Sequence, residues 1–154
     1  VGLVISFVRL DFSIELVAQN SHSLKPMMYR IAGTWGNHEG SMLLWCVIMA
    51  GYGSMAALVM RPGPLLSKAL GVQGLLTVGS LCYLLFASSP FTRLSPAPLD
   101  GGGLNPLLQD PALALHPPAL YLGYVGYSFV FSLAAAGLLL GRIDRDWARA
   151  VQPW

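Results

Sequence analysis

The tripeptide His116-Pro117-Pro118 carries the clearest potential for chemistry in this chain. A neutral imidazole ligates transition metals and the iron of haem. A residue that precedes proline favours an extended backbone, and proline suits the first turn of a helix. The sequence therefore predicts that His116 is held at the mouth of a helix beginning near Leu120. Tyr121, Tyr124 and Ser128 follow at helical spacing on one face. Gly123 and Gly126 admit close approach of another helix or of a flat ligand. An imidazole beside aromatic and glycine surface suits axial ligation of haem iron. The alternative is an interfacial histidine that hydrogen-bonds a carbonyl.

A second cluster is Trp35-Gly36-Asn37-His38-Glu39-Gly40-Ser41. An acid at the head of an apolar helix complements the helix dipole, and Glu39 could orient His38 as an outer carboxylate orients a ligand. Position 42 is Met42, so the His-Glu-x-x-His zinc motif is absent. The competing reading is a capped helix start with Trp35 in an interfacial aromatic belt. Cys46 and Cys82 form no Cys-x-x-Cys pair and read as small apolar thiols. No glycine-rich phosphate loop and no Gly-x-Ser-x-Gly nucleophile occur. Asp110, ahead of Pro111, reads as a helix cap.

These residues must be positioned by a very apolar framework. Of 154 residues 55% are hydrophobic and 10% charged, with a net charge of +2, whereas soluble domains carry about 25% charged residues. That composition excludes disorder, and the absence of a Lys/Arg cluster argues against nucleic-acid binding. Two cysteines make no disulfide framework. Windows 41–60, 69–88 and 120–140 contain no charged residue and are long enough to cross about 30 Å of hydrocarbon. The expected fold class is an all-α integral membrane protein. It has about three full transmembrane helices, a truncated N-terminal one at 1–8, and loops with short interfacial helices at 106–109 and 111–115.

Basic residues gather on the cytoplasmic side of a bilayer. Connection 61–68 and segment 141–154 are rich in Lys and Arg, while segment 89–119 holds only Arg93. Segments 61–68 and 141–154 are expected to face the cytoplasm, with 9–40 and 89–119 outside. All three histidines then fall on the outer side.

Several stretches carry a family resemblance. They are Phe7-Val8-Arg9-Leu10-Asp11-Phe12-Ser13, Val17-Ala18-Gln19-Asn20-Ser21, Tyr29-Arg30-Ile31-Ala32-Gly33-Thr34 continuing through Ser41, Leu104-Asn105-Pro106-Leu107-Leu108-Gln109-Asp110-Pro111, and His116-Pro117-Pro118 through Gly126. Together they resemble the cytochrome c maturation protein F (CcmF) family over nearly the whole chain. The resemblance implies a membrane subunit of a haem lyase. Such a subunit accepts haem from a haem chaperone and helps join its vinyl groups to the thiols of apocytochrome c. The implied partners are the chaperone, other maturation proteins, apocytochrome c and the lipid bilayer, with no nucleic acid.

The resemblance also implies that His116 is an outer-side axial haem ligand; Tyr121 and Tyr124, by their spacing, are the candidate cofactor-binding residues beside it. Trp35, His38 and Glu39 are motif residues without an assigned role. The implied location is the bacterial inner membrane with a periplasmic working face, or the mitochondrial inner membrane. The family's Trp-rich segment, its second outer histidine and the two histidines for b-type haem are expected beyond residue 154. A segment without them is expected to be inactive alone. The alternative functions are a haem or solute transporter domain and a structural scaffold for the maturation complex.

Overall fold

The computed structural model describes residues Val1–Trp154 and is all-helical. Its helices are α1 (Gly2–Arg9), α2 (Glu15–Asn20), α3 (Met27–Gly33), α4 (His38–Val59), α5 (Pro64–Ala87), α6 (Pro111–Leu140) and α7 (Arg145–Val151), with one 3-10 turn at Pro106–Leu108. The only extended pairing is an isolated antiparallel bridge between Ile14 and Arg93.

Helices α4, α5 and α6 have 22, 24 and 30 residues and are long and apolar enough to cross a membrane. At about 1.5 Å per residue each exceeds the hydrocarbon thickness. Their ends follow from local chemistry. Asn37 Oδ1 accepts from the Gly40 N–H and caps α4. Asp110 Oδ1 accepts from the N–H groups of Ala112 and Leu113, with Pro111 as the first residue of α6. At the far end of α6, Gly141 adopts φ +63°. The N–H groups of Gly141 and Arg142 bond back to the carbonyls of Leu138 and Gly137, a Schellman stop that needs a left-handed residue.

The upstream cap corrects one expectation. The helix begins at Pro111 rather than near Leu120, so the turn expected at 111–115 is the first turn of α6. His116, Pro117 and Pro118 lie inside the helix, not in an extended stub before it. Asp110 and Pro111 start the helix about two and a half turns earlier, and a proline φ remains compatible with helical backbone. The turn at Pro106–Leu108 is present as expected, capped by Asn105 Oδ1 from the Leu107 N–H.

The chain divides into two compact units. The first comprises Val1–Leu44 and Cys82–Leu120. Its core is Leu3, Phe7, Ile14, Leu16 and Val17. Gly33 lets α3 lie against Phe7, where a Cβ would come within 2.8 Å of the ring. The second comprises Trp45–Leu81 and Tyr121–Trp154. Its core is Ala56, Leu66, Ala69, Phe129, Leu133 and Ala136, with Trp154 packed edge-on against Phe129.

Candidate functional site

In the first unit the Trp35–Gly40 turn is tightly built. A Cβ on Gly40 would collide with the Thr34 carbonyl, so only glycine allows this entry into α4. The Trp35 indole Nε1 donates to the carbonyl of Ala114 at 2.8 Å. That carbonyl lacks its usual helical partner, because the residue four positions on is Pro118, which has no N–H. The tryptophan motif and the His-Pro-Pro motif thus meet through one hydrogen bond.

The three histidines differ in their engagement. His38 is the first residue of α4, and its Nδ1 bonds Ser88 Oγ at 3.1 Å, with Tyr83 edge-on at 6.3 Å. Ser88, not Glu39, fixes that ring. Glu39 instead lines a small polar cleft with Glu15, Gln19 and Thr92. His22 Nδ1 accepts from the Leu24 N–H, and its Nε2 lies 3.5 Å from Asp100 Oδ2. Asp100 also accepts from the Ser23 hydroxyl and N–H and from the Gly101 N–H. The bonds from Ser23 and Gly101 hold its carboxyl below the usual carboxylate range. His116 is exposed and enters no side-chain hydrogen bond.

In the second unit Trp45 packs edge-on against both Tyr121 and Tyr124, with centroids 5.8 and 5.7 Å away. Tyr124 and Tyr127 are 64% and 71% exposed. The two glycines singled out from the sequence part company. Gly126 is filled by Tyr52, whose hydroxyl donates to the Leu122 carbonyl at 2.7 Å. Gly123 is exposed, with nothing within 4 Å of a Cβ placed there. Gly126 therefore serves a helix contact, while Gly123 leaves flat surface open.

Sequence reasoning missed a polar cluster in the second unit. Gln73 is 2% exposed. Its amide Nε2 donates to the Met49 carbonyl at 3.0 Å and to Ser128 Oγ at 2.9 Å, and its Oε1 accepts from Ser132 Oγ at 2.8 Å. One side chain on α5 thereby ties α4 and α6. A glutamine in an apolar run, with two serines four residues apart on a later helix, was the available signal. Both cysteines are free and Cys46 is buried, as expected of small apolar thiols, but Cys82 is exposed.

No three His, Cys, Asp or Glu side chains converge on a point that could hold a metal ion. A bare ion is poorly served by such a donor set, since most sites need at least three protein ligands. Haem iron already has four ring nitrogens and asks the protein only for axial donors. A single exposed imidazole fits that demand.

The fold and site describe an all-helical protein with three helices long and apolar enough to cross a membrane, and with one exposed, unengaged histidine. Residues 35–153 match the family model described as "Cytochrome C assembly protein", and the chain belongs to that family. It is 54% identical to the cytochrome c-type biogenesis protein ccl1 of Rhodobacter capsulatus, over 99% of this chain and 24% of that protein. It is 53% identical to the cytochrome c-type biogenesis protein CycK of Rhizobium meliloti, over 99% of this chain and 23% of that protein. It is 48% identical to the cytochrome c-type biogenesis protein CcmF of Escherichia coli, over 99% of this chain and 24% of that protein. The chain thus spans about a quarter of the length of these relatives. No solved structure matches it.

Proposed function

We propose that this chain is part of a bacterial inner-membrane haem lyase that handles haem at the periplasmic face during cytochrome c maturation. His116 supplies an axial imidazole to the iron of haem delivered by a chaperone, and apocytochrome c receives that haem on its Cys-x-x-Cys-His thiols. The observation that carries this reading is the exposure of His116 on α6, its imidazole free of side-chain hydrogen bonds. By helical register, positions 116, 120, 123 and 127 share a face of that helix. This face offers an imidazole, the open surface at Gly123 and the exposed ring of Tyr127. Tyr124 lies at its edge and would border the porphyrin, while Tyr121 lies further round the helix against Trp45.

Haem is the cargo here, and the bond-forming chemistry resides in its vinyl groups and the incoming thiols. The chain's own contribution is to hold and orient that cargo, because proximity can supply much of a reaction's rate. The orientation follows from the charge distribution. Arg61, Lys68, Arg142, Arg145 and Arg149 lie in the connections expected to face the cytoplasm, where basic residues gather, and this supports an outer position for His116.

Replacing His116 by Ala in the complete protein tests this. The expected result is loss or weakening of the Soret band of captured haem and a fall in covalent cytochrome c. An unchanged spectrum with normal cytochrome assembly would overturn the reading.

A further inference from the structure

Lys25 is the one cation in the chain whose side chain is largely covered, at 6% exposure. Its ammonium donates to the carbonyl of Asn20, the last residue of α2, at 2.7 Å. An ammonium has three hydrogens to donate, and no carboxylate lies within ion-pair distance of this one. The charged group that acts on it is Arg30, and His22 lines the cavity beside it. Arg30 adds like charge, and its guanidinium is committed to the carbonyls of Lys25 and Ser23. Asp100 is committed to Ser23 and His22. Burial and the neighbouring Arg30 push the Lys25 ammonium down to about 8. A buried cation without a counter-ion is costly, and it persists here beside a cavity.

That cavity, of about 290 Å³, is lined by His22, Lys25, Gln109 and the Gly102–Leu104 loop, among others. Gly103, in that loop, holds φ +86° with open space where a Cβ would stand. Gln109 Nε2 uses one hydrogen on the Leu104 carbonyl and has a second to offer. The lining thus offers donors and positive charge with no free acceptor carboxylate.

We propose that this cavity is a carboxylate-binding site in which Lys25 supplies the charge and Gln109 a second donor. The ligand is a small-molecule carboxylate, and a haem propionate and a free organic acid share that chemistry. The site does not depend on the haem reading; only a propionate source does.

The test is acylation of Lys25 by N-hydroxysuccinimidyl acetate at pH 8, with the complete protein in detergent. Peptide mass spectrometry follows Lys25, and Lys68 serves as the internal reference. Without added anion Lys25 acylates. Acetate slows it about tenfold relative to equal chloride, the weight of one charge-assisted hydrogen bond, and leaves Lys68 unchanged. Protection by iron protoporphyrin IX but not by its dimethyl ester identifies a propionate as a ligand. Protection by acetate alone supports the site with a free acid as its ligand. Three results overturn the proposal: a Lys25 inert without anion, equal slowing by chloride, or equal protection by the dimethyl ester with none by acetate. The Soret band of the His116→Ala variant reports separately on the haem reading.

Discussion

The indole N–H of Trp35 meets the Ala114 carbonyl that Pro118 leaves without a partner. The same device recurs twice along α6. Tyr52 donates to the Leu122 carbonyl, and Trp147 Nε1 donates to the Leu133 carbonyl at 2.9 Å. The residues four positions after these two carbonyls are Gly126 and Gly137, where a Cβ would strike the incoming side chain at 2.7 Å in both cases. A helical carbonyl is ordinarily shielded by the side chain one turn on. Glycine uncovers it, and proline removes its backbone donor.

Trp35→Phe keeps an aromatic ring and deletes the donor. The loss of a bond to a carbonyl with no alternative partner should destabilise the protein by about 1–3 kcal/mol. In a Pro118→Ala background a backbone N–H returns to the Ala114 carbonyl, so the same change should cost less. Unfolding in mixed detergent across this double-mutant cycle checks it, and equal costs in both backgrounds would refute the coupling.

Gly126→Ala should destabilise by about 1–3 kcal/mol, as overpacking does, because the new methyl collides with the Tyr52 hydroxyl. Gly123→Ala, on the same helix with open space, should leave stability within about 0.5 kcal/mol, as at an unconstrained surface position. Thermal unfolding of the two variants side by side distinguishes them.

Gln73→Ala removes three hydrogen bonds within the apolar interior. Interhelical bonds in membrane proteins average about 0.6 kcal/mol each, so the loss should be about 2 kcal/mol. Gln73→Glu should retain the acceptor to Ser132 but lose the donors to Met49 and Ser128, and should not rescue the protein. Detergent unfolding curves give both numbers.

Lys25 makes a pH prediction. Its folded value is about 8 against an ordinary 10.5, so between those limits the unfolded chain holds more protons than the folded one. Stability should therefore rise with pH from about 8 to 10.5, with no contribution from this group to the slope below that window. Melting temperatures measured across the range should show the rise, and Lys25→Met should flatten it.

Much of the framework was legible in contiguous residues. Charge-free apolar windows located all three long helices, because hydrophobic burial and backbone satisfaction act over one segment. Asn105 and Asp110 announced their caps for the same reason. The entry to α6 was misplaced because Pro117-Pro118 looked like a boundary, whereas the Asp110 cap had already begun the helix. His38 does start a helix, but its partner Ser88 is 50 residues away, just past the end of α5.

The sequence by itself therefore determined the membrane-length helices, their caps and the family motifs, since each is written in local hydrophobicity and short-range hydrogen bonding. Only the tertiary structure decided which distant donor serves each uncovered carbonyl, that Gly126 is filled while Gly123 stays open, and that Lys25 is buried without a counter-ion. Those outcomes depend on pairs such as Trp35 and Ala114, 79 residues apart. Their proximity is set by packing of the chain on itself, which no short window of residue types encodes.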